Sequence, residues 1–332
     1  MRFTRNVLFA VAVTSGMVLA GTAGAQTVIK FSHVVAPDTP KGKAADRFKE
    51  LAEKYTAGKV KVEVYPNSQL YKDKEELEAL QLGSVQLLAP SLAKFGPLGA
   101  REFEVFDLPY IFPDKAALQK VVNGPIGKGM LAKLDSKGIA GLAFWDNGFK
   151  IMTSNKPMKT PDDMLGMKLR IQSSKVLEAQ MKALGAVPQV MAFSEVYQGL
   201  QTGVVDGTEN TPSNTFTQKV HEVQSNGSIT NHGYIGYAVI ANKKFWDGLP
   251  ADIRTQLDKA MAEATVYAND IAQKENDDAM EAMKKSGKIA FYTPTDAERA
   301  QWIKALKPVH QEMAGRVGKE LIEQIYKETG AK

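Results

Sequence analysis

The sequence predicts an α/β protein of two lobes spanned by one long helix. Three observations carry that prediction: short apolar-alternating runs trade places with helical patterns through the first half, a second set of the same kind begins near Pro157, and one long amphipathic run follows Pro250. Residues 27–32 (TVIKFS) and 59–65 (KVKVEVY) read as strands, with a helical pattern near 43–55 between them. A helix near 74–82 and a short strand at 85–89 (VQLLA) come next. After a loop rich in proline and aromatic residues around 103–113, a helical run near 116–137 and a strand at 139–144 close the first set.

The second set contains KLRIQ at 168–172, a helix over 175–184, a strand over 187–191, a helix over 195–202 and a strand over 204–206. YAVIAN at 237–242 is a further strand that either returns the chain to one domain or bridges both. Beyond Pro250, Ile253, Leu257, Met261, Ala264, Tyr267 and Ile271 recur at spacings of three and four, which predicts a helix from about 251 towards 285. Such a helix is long for one domain and calls for packing across two. KIAFY at 288–292 reads as a strand, and 296–325 as a terminal helix pair broken at Pro308. The expected organisation is a first lobe over 26–150 completed by C-terminal segments, a second lobe over 151–250, and helices over 251–332 that pack on both.

Residues 1–25 have the form of a cleaved export signal: Arg2 and Arg5 precede an apolar stretch over 7–20, and Ala23-Gly24-Ala25 is a small-residue cleavage site. The apolar run is shorter than the roughly 20 residues that span a bilayer. The expected compartment is the periplasm. Removal of the signal leaves roughly 300 residues, enough for two domains. Hydrophobic residues make up 44% and charged residues 24%, a globular composition. The formal charge of +5 is too small and too dispersed to mark a nucleic-acid or membrane surface.

The chain contains no cysteine, which removes thiol nucleophiles, cysteine-ligated zinc, iron–sulfur clusters and disulfides together. The four histidines, His33, His221, His232 and His310, form no HExxH and no close pair, and His221 and His310 read as solvated helix residues. No GxSxG elbow is present, and the glycines of 124–129 miss both the Walker and the dinucleotide spacings. Neither an enzyme nor a cofactor is expected.

Polar and cationic residues near strand ends stand out instead, because α/β folds bind ligands there. Arg170 lies within an apolar-alternating strand, where an inward guanidinium needs a carboxylate, from a ligand or from an internal salt bridge. Lys150 ends FWDNGFK and is either a second site cation or an ordinary exposed lysine. Asn210 closes VVDGTEN, where its amide could cap a turn or hold a ligand. Phe193 precedes Ser194 in MAFSEVY and suits either a core or a pocket.

These segments, together with FSHVVAPDTPKGKAADRF at 31–48, YPNSQLYKD at 65–73, WDNGFKIMTSNKP at 145–157, the run over 166–210 and NHGYIGYAVIANKKFWDGLP at 231–250, resemble the periplasmic solute receptors of tripartite ATP-independent (TRAP) transporters, of the C4-dicarboxylate-binding type. The resemblance spans nearly the whole mature chain. It implies two hinged α/β lobes with a connecting long helix, closing over a small organic acid such as malate, succinate or fumarate. A keto acid, aromatic acid or other monocarboxylate is the alternative ligand. It implies an integral membrane permease as partner, a monomer, and no nucleic acid. By the same resemblance Arg170 pairs with the ligand carboxylate, Asn210 and Phe193 line the pocket, and Lys150 stands where many members carry an arginine. His33, Ser91 and Lys94 line the first-domain side, and Gln172 shares the strand face of Arg170.

Overall fold

Two sheets divide residues 26–331, which the computed structural model describes; the expected signal over 1–25 lies outside the described residues. In chain order the strands are β1 (Thr27–Ser32), β2 (Val60–Tyr65), β3 (Leu87–Leu88), β4 (Ile139–Phe149), β5 (Ile151–Ser154), β6 (Lys168–Ile171), β7 (Val187–Val190), β8 (Gly207–Asn210), β9 (Asn226–Ser228), β10 (Tyr234–Asn242) and β11 (Ala290–Tyr292). The helices are α1 (Pro40–Tyr55), α2 (Glu76–Gln81), α3 (Lys115–Asn123), α4 (Pro125–Lys133), α5 (Lys175–Ala183), α6 (Val196–Gln201), α7 (Pro212–Thr217), α8 (Lys243–Asp247), α9 (Ala251–Ser286), α10 (Asp296–Leu306), α11 (Pro308–Val317) and α12 (Lys319–Thr329).

The first sheet runs β2-β1-β3-β10-β4 and the second β11-β9-β5-β8-β6-β7. β1 pairs parallel with β2 and β3, while β10 runs antiparallel to both β3 and β4. In the second sheet β6 is parallel to β7 and β8, and β5 is antiparallel to β8 and β9. The chain crosses between the sheets three times, once through α9 and twice in close company. Only Lys150 separates β4 from β5, and its N–H donates to the carbonyl of Gly233 (2.9 Å) in the segment that carries β9 back to β10. These paired crossings form the hinge. Gly148 beside them has φ 135°, and a Cβ there would meet Nδ2 of Asn276 at 2.7 Å, so the close approach of α9 requires glycine.

Helix α9 serves both lobes, as its length predicts. Leu257, Ala260, Met261, Ala264 and Ala268 pack in the first-lobe core with Phe31, Phe48 and Trp145, and Met283 packs with Ile151 and Ile289. Small side chains at spacings of four let the helix lie close to the sheet. The proline- and aromatic-rich loop folds inward: Phe95 stacks on Phe103 (4.6 Å between ring centroids) and Phe106 on Phe112 (5.6 Å). Each such buried ring contributes roughly 1.5–3 kcal/mol.

Several elements differ from their sequence prediction. The helical run near 116–137 divides at Gly124-Pro125, where Gly124 is extended and Pro125 opens α4. The strand from Ile139 continues through Phe149 because the wholly buried β10 pairs with it along its length. The strand placed over 204–206 begins instead at Gly207; β8 reads GTEN, polar yet buried at every position, so an apolar-run criterion misses it. The terminal pair is three helices, with Gly318 (φ 103°) separating α11 from α12. His221 and His310 are buried rather than solvated: His221 stacks on Phe216, and His310 bonds the carbonyl of Pro109 (2.6 Å) and Oη of Tyr326 (2.5 Å).

Candidate functional site

The carboxyl ends of the parallel strands in both sheets face one another across a pocket. The first lobe contributes Val34 and Val35 after β1, Lys41 of α1, Asp73, Ser91, Lys94 and, from β10, Ile235 and Tyr237. Arg170 and Gln172, Phe193, Asn210 and Asn214 come from the second lobe. The lobes also touch directly. Ser91 Oγ donates to Oε1 of Gln172, the Phe193 N–H donates to the Asp73 carboxylate (2.5 Å), and Lys72 pairs with Glu195 (2.9 Å).

Arg170 is only 2% exposed, held in β6 between Gln189 of β7 and Thr208 of β8. Its Nε donates to the carbonyl of Met191 (3.0 Å), and Cζ lies 5.9 Å from the centre of the Phe193 ring. Nη1 and Nη2 have no hydrogen-bond partner among the described residues. Burial pulls its pKa down while Asp73 and Glu209 oppose the fall; a guanidinium stays charged regardless.

Lys94 is satisfied from within. Its ammonium meets Asp73 and lies 2.6 Å from Oε1 of Glu76. Burial opposes its charge, but those two carboxylates outweigh it and raise its pKa. Burial would also raise the Asp73 carboxyl, yet Lys94 and Arg170 hold it at about 2.

Lys41 differs in kind. Its Nζ donates to the carbonyl of Ala89 (3.0 Å) and sits 3.8 Å over the Tyr237 ring, with no carboxylate at salt-bridge distance among the described residues. Burial, then the charge of Lys94, pushes it down to about 7. A relay of amides continues from Tyr237: Asn214 Nδ2 donates to Tyr237 Oη (3.1 Å) and to Asn210 Oδ1 (3.0 Å), which also accepts the Thr211 N–H (2.9 Å).

The arrangement offers donors and positive charge to an anion. Residues 31–316 match the model for bacterial extracellular solute-binding protein, family 7. The C4-dicarboxylate-binding periplasmic protein DctP of Rhodobacter capsulatus is 67% identical, with 97% of this chain and 98% of the relative covered. The chain belongs to family 7 of the bacterial extracellular solute-binding proteins. It is similar to a TRAP periplasmic solute-binding protein from Shewanella oneidensis with bound succinate (TM-score 0.90, 43% identity, 92% of this chain and 100% of that one). It is likewise similar to one from Pseudomonas aeruginosa with bound L-malate (TM-score 0.84, 43% identity, 86% and 99% covered).

A family 7 receptor is a periplasmic solute carrier and not an enzyme. Among the described residues of this one, no group of three His, Cys, Asp or Glu side chains could hold a metal, and no helix is long and apolar enough to cross a membrane.

Of the residues singled out in the sequence, the pocket gathers Arg170, Asn210, Phe193, Ser91, Lys94 and Gln172. Lys150 and His33 do not line it. Lys150 lies in the hinge, fully buried, with Nζ 2.8 Å from Oε1 of Glu209; the other carboxylate oxygen lies 2.8 Å from Nε2 of His232, whose Nδ1 bonds Oγ1 of Thr230 (2.6 Å). Its charge is thereby spent inside the protein. His33 is buried, and burial followed by the charge of Lys41 holds it down at about 3.

Sequence reasoning missed Lys41, Asp73, Asn214 and Tyr237. One signal was present for Lys41. It follows Pro40 in the first turn of α1, where a cation opposes the helix dipole and so asks for a reason.

Proposed function

We propose that the protein captures a C4-dicarboxylate in the periplasm between its two lobes and hands it, as a monomer, to the membrane permease of a TRAP transporter. One observation carries the ligand class: Arg170 and Lys41, buried cations from different lobes, have no carboxylate at salt-bridge distance among the described residues, while Lys94 has two. Two carboxylates on a short chain supply the two missing charges. Binding then joins the lobes, because each end of the ligand belongs to a different one.

In this reading Nη1 and Nη2 of Arg170, helped by the Asn210 amide, take one carboxylate as a charge-assisted pair. Lys41 and the Tyr237 hydroxyl take the other. Phe193, Val34, Val35 and Ile235 cover the carbon chain. Lys94 holds Asp73 and Glu76 in place rather than meeting the ligand. The ligands named for the relatives, C4-dicarboxylates, succinate and L-malate, support this reading.

Calorimetric titration of the mature chain with succinate, malate and fumarate against butyrate, a keto acid and an aromatic acid tests it. The dicarboxylates should bind most tightly; a monocarboxylate binding as tightly as any of them would overturn the two-cation account.

A further inference from the structure

Donors dominate the pocket, with one exception. Of the buried side-chain oxygen atoms that lack a partner among the described residues, Asn214 Oδ1 alone belongs to a residue lining it. Asn214 is 3% exposed.

The orientation of that amide is fixed by the backbone. The Thr211 N–H can only donate, so the atom of Asn210 that receives it (2.9 Å) is Oδ1. The Asn214 atom 3.0 Å from that oxygen must then be Nδ2, whose second hydrogen goes to Tyr237 Oη at 3.1 Å. Both amide hydrogens are used, and the carbonyl oxygen is left over as an acceptor. A carboxylate cannot satisfy it, because a carboxylate only accepts.

We propose that Asn214 Oδ1 receives a hydrogen bond from a hydroxyl on the ligand's carbon chain, making the site selective for 2-hydroxy C4-dicarboxylates over unsubstituted ones. This inference rests on the dicarboxylate reading above and names the substituent that reading leaves open. An ammonium group would also donate, but Lys41, Lys94 and Arg170 line the same pocket and oppose another positive charge. A neutral hydroxyl is the donor that fits. With an unsubstituted chain Oδ1 stays buried and unpaired, the costly half of the hydrogen-bond asymmetry.

The test is calorimetry on the mature chain with L-malate, succinate and 2-methylsuccinate, the last carrying a methyl in place of the hydroxyl. Malate should bind about tenfold more tightly than succinate, the worth of one neutral hydrogen bond, and 2-methylsuccinate should bind no better than succinate. In Asn214→Leu the malate-to-succinate ratio should fall to about one, whatever loss both share from freeing Asn210. Succinate or 2-methylsuccinate binding as tightly as malate overturns the inference, and so does an Asn214→Leu protein that keeps the wild-type ratio. The wild-type comparison decides even where the variant fails to fold. Failure of all three ligands to bind would overturn the dicarboxylate reading itself, an outcome distinct from equal affinities.

Discussion

Replacing Arg170 by methionine separates a binding role from a structural one. Methionine keeps most of the volume and the contact with Phe193 while deleting the guanidinium. Its Nη1 and Nη2 are the unpartnered pair, and a hydrogen bond to a charged group is worth about 1.5–3 kcal/mol. Two such bonds give roughly 3–6 kcal/mol, or about two to four orders of magnitude in Kd. The fold should lose little. No protein carboxylate is stranded, because Asp73 retains Lys94, and only the Met191 carbonyl loses a donor, about 1 kcal/mol. Calorimetry with succinate gives the affinity, and thermal melting without ligand gives the stability. An affinity within tenfold of wild type would refute the assignment of the carboxylate to Arg170. A large fall in melting temperature would show that the guanidinium works for the fold instead.

Three further outcomes follow from neighbouring residues. Lys41→Met should weaken dicarboxylate binding by about tenfold to a hundredfold, one charged hydrogen bond, and leave butyrate unaffected; equal losses for both would contradict a second-carboxylate role. The Lys41 ammonium, faced by His33, Lys94, Glu76, Asp73 and Tyr237, is pushed down to about 7, and a bound carboxylate raises it. Affinity should therefore be full below that value and decline above it, with proton uptake at pH 8 visible as buffer-dependent binding heats. Heats that do not vary with the buffer's ionisation enthalpy would refute this.

Lys150→Met removes the partner of a buried carboxylate and should cost roughly 3–5 kcal/mol of stability. Burial alone would raise the Glu209 carboxyl, yet Lys150 and His232 hold it at about 2 from an ordinary 4.5. Its contribution is thus present above pH 4.5 and lost as pH falls towards 2. Melting curves of the variant should be lower at neutral pH and flatter across that acid window; an unchanged midpoint would argue against the ion pair.

The hinge and the pocket share β8. Glu209 turns towards Lys150 and His232 on the two crossing segments, while the adjacent Asn210 lines the pocket. Successive strand residues point to opposite faces, so one short polar strand anchors the hinge with one side chain and meets the ligand with the next.

Periodicity along the chain determined much of this molecule by itself. The spacing of Ile253, Leu257, Met261 and Ala264 specified the long helix, alternation specified β1 and β2, and a guanidinium inside an apolar strand marked Arg170. Those features are local, set by side chains a few residues apart. The fates of Lys41 and Lys150 were not local. Each is a buried lysine, but Lys150 finds Glu209 on the strand paired with β5, and Lys41 finds a carbonyl and an aromatic ring. Whether a cation is free to meet a ligand depends on which carboxylate the fold brings to it. That pairing joins residues far apart in the chain, and only the tertiary structure decided it.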